Sequence, residues 1–228
     1  MKKLFIALVL MFAANACTPP TAAMIASTVQ IHVRYKGASG ESGGGDGSGF
    51  VYEKHRVHGG AVKSLIMSAE HVLGKIPKIG AVVDGITITD VIATAITEDG
   101  RSCELRVLAR GDEMFGDVAT AEANCDAGRV AVIAEDSPAV GDKLFISGHP
   151  DAWPMIVLTE GYFSGWLNDF MSMSAPAWPG NSGGPVFNAR GQVVGILVRG
   201  DTDYHHITLA VGLEQIWNRV KATELLCR

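Results

Sequence analysis

Ser182 is the side chain equipped for covalent chemistry in the stretch Pro179-Gly180-Asn181-Ser182-Gly183-Gly184-Pro185. Glycine adopts backbone conformations closed to other residues, so such a loop can turn successive N–H groups into one small space. Two donors aimed at one point beside a serine are the parts of an oxyanion hole. Here the donors are the N–H groups of Gly180 and Ser182. A serine hydroxyl is a poor nucleophile until an oriented base takes its proton. The chain supplies a histidine in Ser68-Ala69-Glu70-His71-Val72 and a carboxylate in Gly116-Asp117-Val118-Ala119. Asp112 is a rival for the orienting role, but Asp117 leads directly into an apolar run.

Gly180-x-Ser182-x-Gly184 also fits the nucleophile elbow of α/β-hydrolases, with Asp201 or Asp203 and then His205 or His206 downstream. An elbow needs a helix after its serine. Pro185-Val186-Phe187 reads as a strand instead, which disfavours that arrangement.

Ser-Ala-x-His-Val, Asp-Val-Ala and Gly-Asn-Ser-Gly-Gly-Pro resemble the three signatures of trypsin-like (chymotrypsin-fold) serine peptidases, and most of all bacterial Htr-type protease domains. The order His71, Asp117, Ser182 is that family's order. The resemblance implies an endopeptidase in which His71 is the base, Asp117 orients it and Ser182 is the nucleophile. It implies protein or peptide substrates and no cofactor. The competing reading is the same fold without activity, serving as a binding module. Asn181 departs from the digestive branch, where an aspartate in that place pairs with a newly released N-terminus. The oxyanion loop is therefore expected to form without zymogen cleavage. The sequence stops after one helix beyond the barrels, so the C-terminal peptide-binding domain common in Htr proteases is not expected.

By the same similarity, the pocket for the residue before the scissile bond is lined by Pro176-Ala177, by Val198 and Gly200, and by His206 and Thr208. No carboxylate stands at its base, so a buried arginine or lysine would be unpaired. Small or medium apolar residues are expected. His206 turned inward beside Thr208 would favour glutamate or glutamine instead.

The elements that must position these residues are mostly strands. The 228 residues are 47% hydrophobic and 19% charged with 27 glycines, a composition for one globular unit rich in turns. Val29, Ile31, Val33 and Tyr35 alternate with polar residues, a half-buried strand that leaves His32 on its polar face. Lys36 to Gly49 reads as a flexible Gly/Ser loop. His55 and His58 fall in a turn with no cysteine or carboxylate cluster, so no metal is expected. Ala61 to Met67 is a strand delivering His71 on a helical turn begun by Ser68. Further β-rich runs cover 81–96, 103–109 and 118–124, completing a first barrel near residue 134. The runs 143–147, 155–163, 171–174, 186–187, 193–198 and 207–211 build a second. The expected fold is all-β: two packed six-stranded antiparallel barrels, about 28–134 and 138–211, with a C-terminal helix over 212–226. Leu213, Ile216, Trp217 and Val220 give that helix its apolar stripe.

Residues 1–16 read as an export signal: Lys2-Lys3, an apolar core, and Ala14-Asn15-Ala16 before the cleavage point. Cleavage there would leave Cys17 first, resembling a lipoprotein box, with 17–27 as a tether. An ordinary signal peptide fits equally well. The destination expected is the periplasm or the medium, with a membrane anchor only through Cys17. Loss of Lys2 and Lys3 takes the net charge from −5 to −7, which disfavours nucleic-acid binding. In an oxidising compartment Cys103, which opens one strand, and Cys125, which closes the next, are expected to face each other across the hairpin that holds Asp117 and to form a disulfide. Cys227 pairs with Cys17 or stays free. Oligomeric state is not encoded in any readable pattern.

Overall fold

The computed structural model describes residues 20–74, 76–83, 85–111, 116–200 and 207–226. The export signal, Cys17, Lys75, Asp112, the 201–206 stretch with His206, and Cys227 lie outside them. The chain opens with α1 (Thr21–Ser27). Six strands then close on themselves: β1 (Thr28–Gly37), β2 (Ser42–Arg56), β3 (Val62–Ser68), β5 (Ile86–Ile96), β6 (Ser102–Ala109) and β7 (Ala119–Ala123). Their order is β1-β2-β3-β7-β6-β5, and a β1–β5 pairing completes the ring. Helix α2 (Glu70–Leu73) follows β3, and β4 (Val82–Val83) flanks β5.

The second ring uses β9 (Lys143–Gly148), β10 (Val157–Leu167), β11 (Phe170–Met173), β12 (Pro185–Asn188), β13 (Gln192–Gly200) and β14 (Thr208–Val211). Its order is β12-β9-β10-β11-β14-β13, closed by β12–β13. Both rings have antiparallel neighbours throughout. Closure removes the unpaired edges on which sheets aggregate. Helix α3 (Leu213–Leu226) packs last, with Leu213, Ile216 and Val220 buried and Trp217 Nε1 donating to Ala134 O at 3.1 Å. The expected double barrel and helical stripe are both present.

Three local expectations are corrected. The tether is helical from Thr21 to Ser27, because Met24 is fully buried and anchors the turn. The Gly/Ser stretch joins β2 from Ser42 onward, in register with β1 from Thr28↔Phe50 to Lys36↔Ser42. Its glycines serve close approach rather than flexibility. A Cβ at Gly44 would stand 2.0 Å from Val33 O, and one at Gly47 2.6 Å from the Val72 side chain. Finally, β8 (Val132–Ile133) pairs in parallel with β13, so the first barrel ends before residue 132. Across the seam, Thr28 Oγ1 donates to Ser147 Oγ at 2.8 Å and Gln30 Nε2 to Ala152 O at 2.8 Å.

Candidate active site

A four-residue helix cannot hold itself together in water, so packing must hold α2. Val72 and Leu73 are buried beneath it, each worth about 1.5–3 kcal/mol of burial. Arg110 braces its far end, donating to Gly74 O at 2.7 Å and Ile76 O at 2.8 Å. Ser68 is not the cap; Ala69 takes that place, and Ser68 Oγ donates to Ser48 O at 2.7 Å. The expectation failed because a hydroxyl one position too early finds a better acceptor across the sheet.

Asp117 enters β7 just ahead of Val118 and Ala119, both fully buried. Its carboxylate accepts from the backbone N–H of His71 at 2.9 Å and from His71 Nδ1 at 2.6 Å. Burial alone would raise this carboxyl, but the His71 side chain and the N–H groups of His71 and Glu70 outweigh it and hold Asp117 below the ordinary carboxylate range. An ionised carboxylate accepts only, so in this bond Nδ1 is the donor and carries a proton.

His71 and Ser182 share one cleft of about 180 Å³, lined also by Gly45, Asp46, Val72, Pro179 and Gly180. Larger grooves run along the β1–β2 hairpin, about 420 Å³, and beside α3, about 810 Å³, but neither brings a serine together with a histidine. The small cleft holds both residues. Asp46 brings a second carboxylate there, held by His32 Nδ1 at 2.5 Å and Arg34 Nη2 at 2.7 Å. Burial works against its charge, yet these two partners keep its carboxyl low. His32, expected on the polar face of its strand, is half-buried beside Asp46.

The loop around Ser182 is fixed at each peptide. Gly180 has φ +92° and Gly183 φ +83°, the left-handed region that glycine tolerates. Pro179 O accepts from Asp151 N at 2.7 Å and Asn181 O from Gly184 N at 2.9 Å. In a trans peptide the N–H points opposite to its C=O. Pinning those two carbonyls thus turns the N–H groups of Gly180 and Ser182 the other way. Among the described residues, neither donates to another backbone group, whereas those of Asn181, Gly183 and Gly184 do.

The model of the trypsin-like peptidase domain matches residues 47–196. The chain belongs to the trypsin-like peptidase family. Its fold resembles that of Rv3671c from M. tuberculosis H37Rv, solved as an inactive serine-to-alanine mutant: TM-score 0.65, 17% identity, covering 93% of this chain and 92% of that one. It resembles equally the serine endoprotease from Yersinia pestis: TM-score 0.65, 18% identity, covering 87% of this chain and 63% of that one. No curated protein matches the sequence. As a trypsin-like peptidase, this chain has protein substrates.

The expected specificity residues fall into two groups. Ala177 and Gly200 face each other, a Cβ on Gly200 standing 3.6 Å from Ala177 O. Pro176 is fixed nearby by Thr159 Oγ1, which donates to its carbonyl at 2.8 Å. Val198 is buried, and so is Thr208, whose Oγ1 donates to Ala175 O at 2.7 Å. Cys103 and Cys125 have Cα atoms 5.6 Å apart, within the span of a disulfide. His55 lies within β2 rather than a turn, its Nε2 3.3 Å from Glu122. Among the described residues no cluster of His, Cys, Asp and Glu could hold a metal.

Sequence reasoning missed Ser48, Asp46 and His149. His149 is buried, with Nδ1 donating to Trp153 O at 3.0 Å and burial pushing its imidazole below the usual histidine range. For Ser48 a signal existed: a serine between Gly47 and Gly49, directly before the apolar run Phe50-Val51.

Proposed function

We propose that this trypsin-like peptidase is a serine endopeptidase working through an acyl-enzyme on Ser182. The observation that carries the reading is the His71 Nδ1–Asp117 Oδ2 bond of 2.6 Å beside the cleft that His71 shares with Ser182. His71 Nε2 takes the proton of Ser182 as Oγ bonds to the substrate carbonyl carbon. Asp117 holds the ring in the tautomer that makes this transfer feasible and stabilises the imidazolium that results. The oxyanion lies against the Gly180 and Ser182 N–H groups, each donor worth about 10²–10³ in rate. The C–N bond then breaks, and the imidazolium gives its proton to the leaving amine. Water, activated by the same imidazole, hydrolyses the ester.

The small walls at Ala177, Val198 and Gly200 support cleavage after small or medium apolar residues. Export, with or without acylation at Cys17, completes the proposal and rests on residues 1–17 of the sequence. The test is labelling by a fluorophosphonate. The wild type reacts at Ser182 and cleaves a denatured protein, whereas Ser182→Ala does neither while keeping its thermal transition. A folded wild type inert to both would leave the binding-module reading in its place.

A further inference from the structure

Four hydrogen bonds converge on Ser48, a fully buried residue of β2 in the first barrel. Its N–H donates to Ser182 O at 2.8 Å, and its Oγ–H donates to Gly180 O at 2.8 Å. Its Oγ accepts from His149 N at 2.9 Å, and its carbonyl accepts from Ser68 Oγ at 2.7 Å. Ser68 lies three residues before His71 on the same strand-to-helix connection. Ser48 is thus bonded on one side to the segment carrying the base, and on the other to both ends of the loop carrying the nucleophile.

The Oγ bonds reach further. Gly180 O belongs to the peptide just after the Gly180 N–H, so fixing it limits rotation about Gly180. The preceding peptide is fixed by Asp151 N, in the turn Pro150–Ala152 that follows His149. Asp151 and Ala152 hold φ of +49° and +58°, a conformation unfavourable for residues other than glycine. That turn needs outside support, and Ser48 Oγ supplies some by accepting from His149 N. One hydroxyl therefore constrains the Gly180 peptide from both sides. Asn181, by contrast, is buried with no partner for Oδ1 among the described residues, so its side chain supplies no comparable anchor.

The geometry points to Ser48 as a positioning residue for the oxyanion loop: its hydroxyl keeps the Gly180 N–H turned toward the substrate without any activation cleavage. This rests on the peptidase reading above and assigns a role outside the triad. Ser48 touches neither substrate nor the reacting atoms, and its effect is exerted through Gly180.

The experiment compares wild type, Ser48→Ala and Ser48→Cys as purified full-length protein. The readouts are kcat and KM on a peptide ester, the inhibition constant of a peptide aldehyde, and thermal midpoint. The aldehyde forms a tetrahedral adduct and needs the oxyanion hole; KM for the ester reports ground-state binding. Loss of one well-placed hydrogen bond predicts that Ser48→Ala lowers kcat about tenfold, with KM within twofold. Aldehyde affinity falls by the same factor as kcat/KM, and the pH profile keeps its shape because His71 and Asp117 are untouched. Ser48→Cys, nearly equal in volume but a weaker donor, falls between, and carries the test if Ser48→Ala does not fold. A folded variant with unchanged kcat and aldehyde affinity, or with a loss confined to KM, overturns the inference and leaves the peptidase reading intact. A wild type that neither turns over the ester nor binds the aldehyde removes the peptidase reading itself.

Discussion

Replacing Asp117 by Asn leaves the size of the side chain unchanged and reverses its hydrogen-bonding logic. The native carboxylate accepts twice from His71, at Nδ1 (2.6 Å) and at the backbone N–H (2.9 Å). An amide can keep the backbone bond through its oxygen. Its NH₂ then faces Nδ1 and makes that nitrogen the acceptor, which moves the ring proton to Nε2. In the proposed mechanism Nε2 receives the proton from Ser182, so the base would be occupied before the reaction begins. A wrong tautomer of this kind costs about 10⁴ in kcat. That corresponds to roughly 5.5 kcal/mol of transition-state stabilisation. Stability should respond far less, because His71 and Asp117 side chains are 38% and 28% exposed. Solvent screening limits such a pair to about 1 kcal/mol or less. The assay is peptide-ester turnover, corrected for active-site concentration, alongside thermal unfolding. A folded Asp117→Asn protein with kcat within tenfold of the wild type would refute the argument.

Gly180→Ala should fold poorly or lose activity at least a hundredfold, since its Cβ would stand 2.3 Å from His149 O at φ +92°; turnover and near-UV circular dichroism read both, and a fully active variant would contradict the loop geometry. Glu122 is largely buried; burial raises its carboxyl, but bonds from Lys63 at 2.8 Å and Arg106 at 3.1 Å outweigh that and depress it. The stabilisation is therefore complete at neutral pH and disappears as pH falls through the depressed folded value. Glu122→Gln should cost about 1–2 kcal/mol at pH 7 and converge on the wild type in acid, as read by urea unfolding from pH 7 to pH 3. A constant difference across that range would dissociate Glu122 from the effect. Non-reduced peptide mapping of exported protein should recover Cys103 and Cys125 in one linked peptide, and finding both as free thiols would refute the pairing.

Parts of this molecule are written in local sequence. The alternation in β1, the Leu213–Val220 stripe of α3 and the order of His71, Asp117 and Ser182 all obey short-range rules. The strand nature of Ser42–Gly49 did not, because glycine locally signals a break. Here the glycines answer to Val33 and Val72, which approach from other elements. The α1 helix escaped for a related reason: Met24 is its only buried large apolar residue, too little for a periodic signal. In the site the residues His71, Asp117 and Ser182 were singled out by sequence, but the scaffold around them was not. The acceptors of Ser48 are Gly180 O and Ser182 O, more than 130 residues away.

The division of labour between the barrels has a consequence for the newly made chain. His71, Asp117 and Ser48 belong to the first barrel, and Ser182 comes from the second. Domains fold broadly in the order in which they are synthesised, and long-range β pairings form late. On the proposed mechanism, a chain with only its first barrel folded has a base and an orienting carboxylate but no nucleophile. A second barrel that has not docked has a nucleophile whose loop lacks the Ser48 hydroxyl and amide. On that mechanism, hydrolytic competence thus arrives only with docking, so a partly folded chain can cut neither itself nor an equally unfinished neighbour.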